Sequence, residues 1–227
     1  MNKIEKIYTL LYKTYGPQGW WPFMNYEDFY HKADYSFPKD EAQVFEVCLG
    51  SILTQNTSFN AVVKSLENLK ALNALSPEAI INLDIDAFKL AIKPSGYHNQ
   101  KAKYILSFID FFQELKGSIP TREALLNVLG IGEETADSIL LYGYNQPQFK
   151  VDAYTKRVLL ELGLIDEKAK YKDMKKLMQD ALRESVRDEK ELVAVYQEYH
   201  ALIVCHSKNF YSKKPYGLSC FLKEALI

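Results

Sequence analysis

Asp152 is one residue of this sequence whose side chain could do chemistry. It opens the amphipathic segment D-A-Y-T-K-R-V, where an aspartate is either a helix N-cap or a reactive group. An ionised carboxylate can stabilise a nearby positive charge, and it can orient or deprotonate water. Lys156 and Arg157 follow one helical turn later and can meet either phosphate or solvent. Residue types alone leave both roles of Asp152 open.

A second candidate site is the turn Gly130-Ile131-Gly132, which separates two amphipathic segments within residues 125–144. Two glycines around one apolar residue allow a sharp turn, with Ile131 directed into the core. The amides of the turn and of the following helix start, which includes Thr135, then point outward and can bind an anion without a lysine. A bare G-x-G is usually only a tight turn, so the prediction depends on the longer pattern L-G-I-G-x-x-T-A-D.

Three other features could contact a ligand. The tryptophans Trp20 and Trp21 precede Pro22 and could not share one helix face, so we expect one in the core and one as a pocket wall. Alternatively, both anchor the N-terminal segment. Gln55 follows an apolar segment and could either contact a ligand or cap a helix. Lys101 lies in the acid-free stretch 93–103 and could either contact phosphate or lie on a solvated helix face.

Composition restricts these possibilities. Lys and Arg number 28 against 29 Asp and Glu, a net charge of −1, so any contact with nucleic acid must be local. Only three cysteines are present, which argues against a disulfide framework and for a reducing cytoplasm. No stretch is as apolar as a membrane span, and the first residues do not resemble a signal peptide. We therefore expect a cytoplasmic protein that does not contact membranes.

Hydrophobic periodicity predicts an all-α fold, because apolar residues repeat at helical spacing and no segment alternates as a strand would. Two of these predicted helix faces are Phe59, Val62, Val63, Leu66, Leu69 and Ala102, Ile105, Leu106, Ile109, Phe112. Residues 44–53 are apolar nearly all round, which predicts a helix buried on every side. Residues 22–43 are aperiodic and predict loops.

Four motifs in order resemble the helix-hairpin-helix DNA glycosylases of the endonuclease III type. They are L-T-Q-N-T (53–57), G-Y-H-N-Q-K-A (96–102), L-G-I-G-E-E-T-A (129–136) and V-D-A-Y-T-K-R (151–157), and the resemblance covers about residues 44–205. It implies that the hairpin grips a DNA phosphate through backbone amides and that Asp152 is the catalytic carboxylate. It also implies that Gln55 enters the space left by a flipped base or contacts the opposite strand.

The same resemblance implies two helical lobes with the active site in the cleft between them. Residues 40–145 would form a helical barrel that ends in the hairpin of 125–144, and residues 1–39 plus 146–227 would form the second domain. The expected partner is double-stranded DNA with a damaged base, bound by a monomer. The residues expected to bind DNA are Gln55, Lys101, Gly130, Ile131, Gly132, Thr135, Lys156 and Arg157.

Two departures from the family pattern narrow the expected activity. Bifunctional members carry a lysine in the hairpin that attacks the sugar, and Glu134 stands at that position. The sequence therefore predicts a monofunctional enzyme that uses water and has no AP lyase activity. Many members also end in four cysteines that hold an iron–sulfur cluster, whereas this C-terminal region has only Cys205 and Cys220. We therefore expect no iron–sulfur cluster, no other cofactor and no metal.

The N-terminal region resembles the bacterial type III 3-methyladenine DNA glycosylases of this superfamily. The shared features are the tryptophan pair before Pro22 and the pattern F-E-x-x-x-G that begins at Phe45. This resemblance implies a base pocket formed by Trp20, Trp21, Pro22, Phe45 and Glu134, and excision of alkylated purines by base flipping. The alternatives are an oxidised-pyrimidine or mismatch glycosylase of the endonuclease III type and a non-catalytic helix-hairpin-helix DNA-binding protein.

Overall fold

A computed structural model describes residues 1–226, and every regular element in this range is helical. No strand occurs among the described residues, which confirms the all-α prediction. No helix in this range is long and apolar enough to cross a membrane. The helices, in chain order, are α1 Lys3–Tyr15, α2 Glu41–Leu53, α3 Phe59–Ala71, α4 Pro77–Asn82, α5 Ile85–Ala91, α6 His98–Leu115, α7 Arg122–Leu126, α8 Glu133–Ser138, α9 Ala153–Glu161, α10 Tyr171–Arg183, α11 Glu189–Phe210 and α12 Phe221–Ala225. A short 3-10 turn covers Lys93–Ser95, and a π-helical turn, Ile139–Gly143, extends α8.

The helices form two compact units. The central unit consists of Trp21–Phe29 and Ser36–Tyr144, and the terminal unit consists of Met1–Trp20, Tyr30–Tyr35 and the described chain from Asn145 onward. These bounds differ from the predicted ones at the N-terminal side, because Trp21–Phe29 and Ser36 to residue 39 group with the central unit rather than with residues 1–20.

Contacts within the central unit explain this difference. The Met24 amide donates a hydrogen bond of 2.7 Å to Glu46 Oε1, and Lys70 Nζ donates one of 2.7 Å to the Met24 carbonyl oxygen. The Trp21 ring packs so closely on Gly50 that a Cβ there would lie 2.9 Å from it. The predicted bounds came from the family resemblance, which does not specify these contacts.

The core of the central unit is built around α2. Asp40 caps this helix, and every residue from Phe45 to Leu53 is buried, as its lack of a polar face predicted. Helices α3, α5 and α6 turn their apolar faces toward the same core. Gln55 follows two residues after the end of this enclosed helix and reaches the hairpin, where it bonds to Gly130.

The terminal unit is built around α11, the longest helix. Helix α1 begins with a capping box between Asn2 and Glu5 and packs along α11, where the Tyr199 hydroxyl donates 2.9 Å to the Ile4 carbonyl oxygen. Helix α9 also packs on α11. His200 is one of the polar residues of α11 that this packing buries.

Candidate active site

Asp152 caps the N-terminus of α9, the first of its two predicted roles. Its Oδ1 accepts hydrogen bonds from the Thr155 amide at 2.7 Å and from the Thr155 hydroxyl at 2.9 Å. The residue has extended backbone geometry, and its side chain is 13% exposed. The capping interaction therefore uses one carboxylate oxygen and leaves the other for a second contact.

That second contact is His200, in the middle of α11. Its Nε2 lies 3.2 Å from Asp152 Oδ2, and the histidine is only 2% exposed. His200 was not among the residues predicted from the sequence. The available signal was a histidine beside Gln197 and Glu198 on a helix whose neighbouring positions are buried and apolar.

The surroundings of Asp152 favour its ionised form. Burial alone would raise its pKa, but the hydrogen bond from His200, the nearby charge of Lys150 and the Thr155 amide hold that pKa well below its usual value. Burial, together with the charge of Lys150, lowers the pKa of His200. Lys150 is itself buried two residues before the aspartate. The imidazole is therefore neutral and the carboxylate charged near neutral pH.

This arrangement is suited to stabilising a positive charge. Three donor groups, the Thr155 amide, the Thr155 hydroxyl and His200 Nε2, hold the carboxylate in one orientation. A fixed, partly buried anion stabilises a nearby cation more strongly than a solvated one, because little solvent has to reorganise. The same saturation by donors makes Asp152 a weak proton acceptor.

The predicted hairpin is present as α7, the turn at Gly130–Gly132 and α8. Gly130 has φ of +80°, and a Cβ there would collide with the Tyr104 ring at 2.2 Å, so the position requires glycine. Ile131 is buried in the core of the central unit. A Cβ at Gly132 would meet nothing within 4 Å. The turn thus has one face packed against the protein and one open face.

Side chains beneath the turn lock the hairpin onto the central unit. Arg122 of α7 donates to the buried Asp137 of α8 at 2.8 Å through Nε. Gln55 Nε2 donates to the Gly130 carbonyl oxygen at 3.0 Å and to the hydroxyl of Thr135 at 3.1 Å. Thr135 is buried and its hydroxyl contacts Gln55, so only its backbone amide stays a predicted DNA contact.

Lys101 is another predicted DNA contact that the structure contradicts. Its side chain is 2% exposed, and Nζ donates to the carbonyl oxygens of Leu53 and Ser95, each at 2.7 Å. Burial lowers its pKa to about 8. The ammonium group caps the C-terminal end of α2 and the 3-10 turn, which a helix-face pattern could not reveal.

Arg157 bonds within the protein although it is only half-buried. Its guanidinium donates to the Tyr211 carbonyl oxygen and lies 4.3 Å from the centre of the Tyr216 ring. It therefore ties α9 to the C-terminal segment, and its role as a DNA contact stays a prediction. Lys156, its neighbour, is half-buried and stays a predicted DNA contact.

The predicted pocket residues do not all have accessible faces. Trp21 is 2% exposed and packs against Phe59 and Tyr142, and Phe45 is 1% exposed beside Phe112. Both are core residues of the central unit, because α2 is enclosed and Gly50 leaves room for the indole. Their prediction as stacking partners is corrected accordingly, and Pro22 is also buried.

The remaining pocket candidates are Trp20 and Glu134. Trp20 is half-buried in the terminal unit, with its ring 6.2 Å from that of Tyr30, and Glu134 is exposed in the first turn of α8. The terminal unit thus holds Trp20, Asp152, Lys156 and Arg157, and the central unit holds Trp21, Pro22, Phe45, Gln55, Lys101, Gly130, Ile131, Gly132, Glu134 and Thr135.

An all-helical chain with this hairpin and a capped aspartate after it is the arrangement of a base excision DNA glycosylase. The family model described as "HhH-GPD superfamily base excision DNA repair protein" matches residues 49–184. The chain is 38% identical over 98% of its length to "Putative DNA repair glycosylase MJ1434" of Methanocaldococcus jannaschii, covering 96% of that protein. It is 29% identical to endonuclease III of Sulfolobus acidocaldarius over 80% of each chain. The chain belongs to the HhH-GPD superfamily of base excision DNA repair proteins.

Solved structures agree with this assignment. The H. pylori 3-methyladenine DNA glycosylase MagIII, bound to 1,N6-ethenoadenine, matches 92% of this chain and 98% of its own with a TM-score of 0.68 and 27% identity. A non-covalent endonuclease III–DNA complex matches 99% of this chain and 94% of its own with a TM-score of 0.72. At 16% identity this second likeness concerns the fold alone.

Proposed function

We propose that this protein is a monofunctional DNA glycosylase that removes alkylated purines of the 3-methyladenine type from double-stranded DNA. The observation that carries the proposal is the carboxylate of Asp152, which three donor groups hold in one ionised orientation after the hairpin. Such an anion suits a reaction that passes through a positively charged sugar. The similarity to MagIII, whose name specifies 3-methyladenine, supports the substrate class.

The proposed reaction hydrolyses the N-glycosidic bond of a flipped nucleotide. The bond between C1′ and the base breaks, and its electron pair leaves with the base, so a cationic methylated purine departs as a neutral molecule. Asp152 stabilises the oxocarbenium-like sugar, water adds to C1′, and a proton is released to solvent. Flipping costs a few kcal/mol, and a lesion that weakens pairing lowers this cost.

A cationic leaving base also explains which recognition groups are needed. Its glycosidic bond is already weakened, so the enzyme needs aromatic recognition more than proton donation. Trp20 is our candidate for stacking, because it is half-buried and belongs to the same unit as Asp152. Stacking contributes about 1–3 kcal/mol per base, and a cation–π interaction about 0.5–2 kcal/mol.

The absence of a lyase step is part of the proposal. Glu134 occupies the hairpin position of the lysine that bifunctional members use, and a carboxylate cannot form a Schiff base. The opposing candidate is an oxidised-pyrimidine glycosylase, which the similarity to endonuclease III of Sulfolobus acidocaldarius favours. Borohydride treatment during turnover is expected to trap no enzyme–DNA adduct, and a trapped adduct would favour the opposing candidate.

We also propose that the protein works without an iron–sulfur cluster. The residues do not fit one, because Cys48 is buried in the central unit and only two thiols remain in the C-terminal region, where a cluster needs four ligands. Cys220 Sγ instead lies 3.2 Å from His206 Nε2 and accepts from the Tyr211 hydroxyl at 3.3 Å. Aromatic packing around His206 fills the space beside this thiol.

The experiment that tests the proposed function compares two damaged DNAs. Purified protein is incubated separately with duplexes that contain 3-methyladenine or thymine glycol, and released bases are separated by chromatography. We expect release of 3-methyladenine and strand breaks only after alkali or heat. Release of the pyrimidine alone would support the opposing candidate, and release of neither base from bound DNA would favour a non-catalytic binding protein.

A further inference from the structure

We propose that His200 is a positioning residue that fixes the carboxylate plane of Asp152. The inference rests on the proposed function, since it assigns a role within the same site. Its basis is the contact of 3.2 Å between His200 Nε2 and Asp152 Oδ2, together with near-complete burial of the histidine in α11.

The carboxylate needs this second contact to have a defined orientation. Thr155 binds Oδ1 through both its amide and its hydroxyl, so this contact alone leaves the carboxylate able to rock about Oδ1 by coupled changes in χ1 and χ2. His200 binds the other oxygen from a different helix. Two fixed oxygens define a plane, and the direction from which the carboxylate faces a ligand is then set.

The histidine acts as a neutral donor. An ionised carboxylate can only accept, so Nε2 carries the proton of this hydrogen bond. Burial and the charge of Lys150 lower the pKa of His200, which keeps the second proton off the ring. Asp152 therefore retains its full charge, whereas a charged imidazole would neutralise it.

Two other buried polar residues of α11 close to His200 have partners away from Asp152. Glu198 accepts from the Gln18 amide at 2.7 Å and from the Tyr35 hydroxyl at 2.9 Å. Gln197 Nε2 donates to Asn145 Oδ1 at 2.8 Å. None of these three hydrogen bonds involves Asp152, whereas His200 contacts its carboxylate directly.

The test compares two replacements of this residue. His200→Gln keeps an N–H donor near the position of Nε2, whereas His200→Leu removes the donor and keeps the bulk. We expect single-turnover base release to fall by about 10- to 100-fold in His200→Leu, because a hydrogen bond to a charged group is lost. DNA affinity should change little, and His200→Gln should recover much of the rate. His200→Asn, whose amide is too short to reach Oδ2, should behave as His200→Leu and replaces it if that variant does not fold.

A matched control separates positioning from simple stability. His206 lies on the same helix, is fully buried and contacts Tyr15 and Cys220, not Asp152. His206→Leu should lower the unfolding midpoint while folded protein keeps its base-release rate. If His200→Leu and His200→Asn also kept the wild-type rate, the positioning role would be wrong.

Failure of this inference can be distinguished from failure of the proposed function. In an Asp152→Asn background, His200→Leu should cause no further loss of rate, because the group it positions is gone. Full additivity would refute the inference and leave the proposed function intact. Wild-type turnover by Asp152→Asn itself would instead refute the catalytic assignment.

Discussion

Replacing Lys101 with methionine should weaken the fold and leave the electrostatics of DNA binding intact. Methionine has a similar length but donates nothing to the Leu53 and Ser95 carbonyl oxygens, which the ammonium group contacts at 2.7 Å. Leaving a buried acceptor without a partner costs about 1–3 kcal/mol. Two such acceptors predict a loss of about 2–6 kcal/mol in the free energy of unfolding, part of which is offset because a buried charge is removed.

The matched control is Lys103→Met, two residues away on α6 but exposed. Urea denaturation should show a loss below about 0.5 kcal/mol for this variant, as is usual at surface positions. DNA affinity should then be measured against salt concentration, because each phosphate contact contributes about −0.9 to the slope of log K against log salt. A Lys101→Met protein with wild-type stability and a shallower slope would refute the structural role and restore the phosphate contact.

Three further predictions concern other parts of the site. Burial raises the pKa of Glu46 from 4.5 to about 7, so the folded protein binds a proton there that the unfolded chain releases. As pH rises from 4.5 to 7, the wild-type protein should therefore lose up to about 3 kcal/mol of unfolding free energy relative to Glu46→Gln. The same pH dependence of the unfolding free energy in both proteins would contradict this prediction. Gly132→Val has open space for its side chain, so it should fold normally yet bind all DNA sequences on the order of tenfold more weakly, and unchanged affinity would remove the phosphate site. Trp20→Ala should slow 3-methyladenine release by about 5- to 150-fold and leave non-specific DNA affinity intact, whereas an unchanged rate would exclude Trp20 from the pocket.

Sequence patterns were sufficient for several of the longer helices and for the hairpin. Apolar periodicity predicts which faces of α3 and α6 are buried, and the lack of polar positions predicts the enclosure of α2. The two glycines around Ile131 predict the turn because glycine readily adopts a positive φ, and Gly130 has φ of +80°. These are local rules, and each depends on residues close together in the chain.

Contacts between distant residues were not predictable in the same way. Asp152 and His200 are 48 positions apart, and nothing in the spacing of either indicates the other. A lysine on an amphipathic helix is normally solvated, yet Lys101 is drawn inside by two carbonyl groups from other segments. Trp21 is buried because Gly50 of α2 leaves space for its ring. In each case the partner is set by tertiary packing.

The most direct test of the central claim is base release by Asp152→Asn. Asparagine is also a good N-cap, so the variant should fold with only a modest loss of stability and should still bind damaged DNA. Because the charge that stabilises the sugar is removed, single-turnover release of 3-methyladenine should be nearly abolished. Release at the wild-type rate by a folded, DNA-binding Asp152→Asn protein would contradict the account.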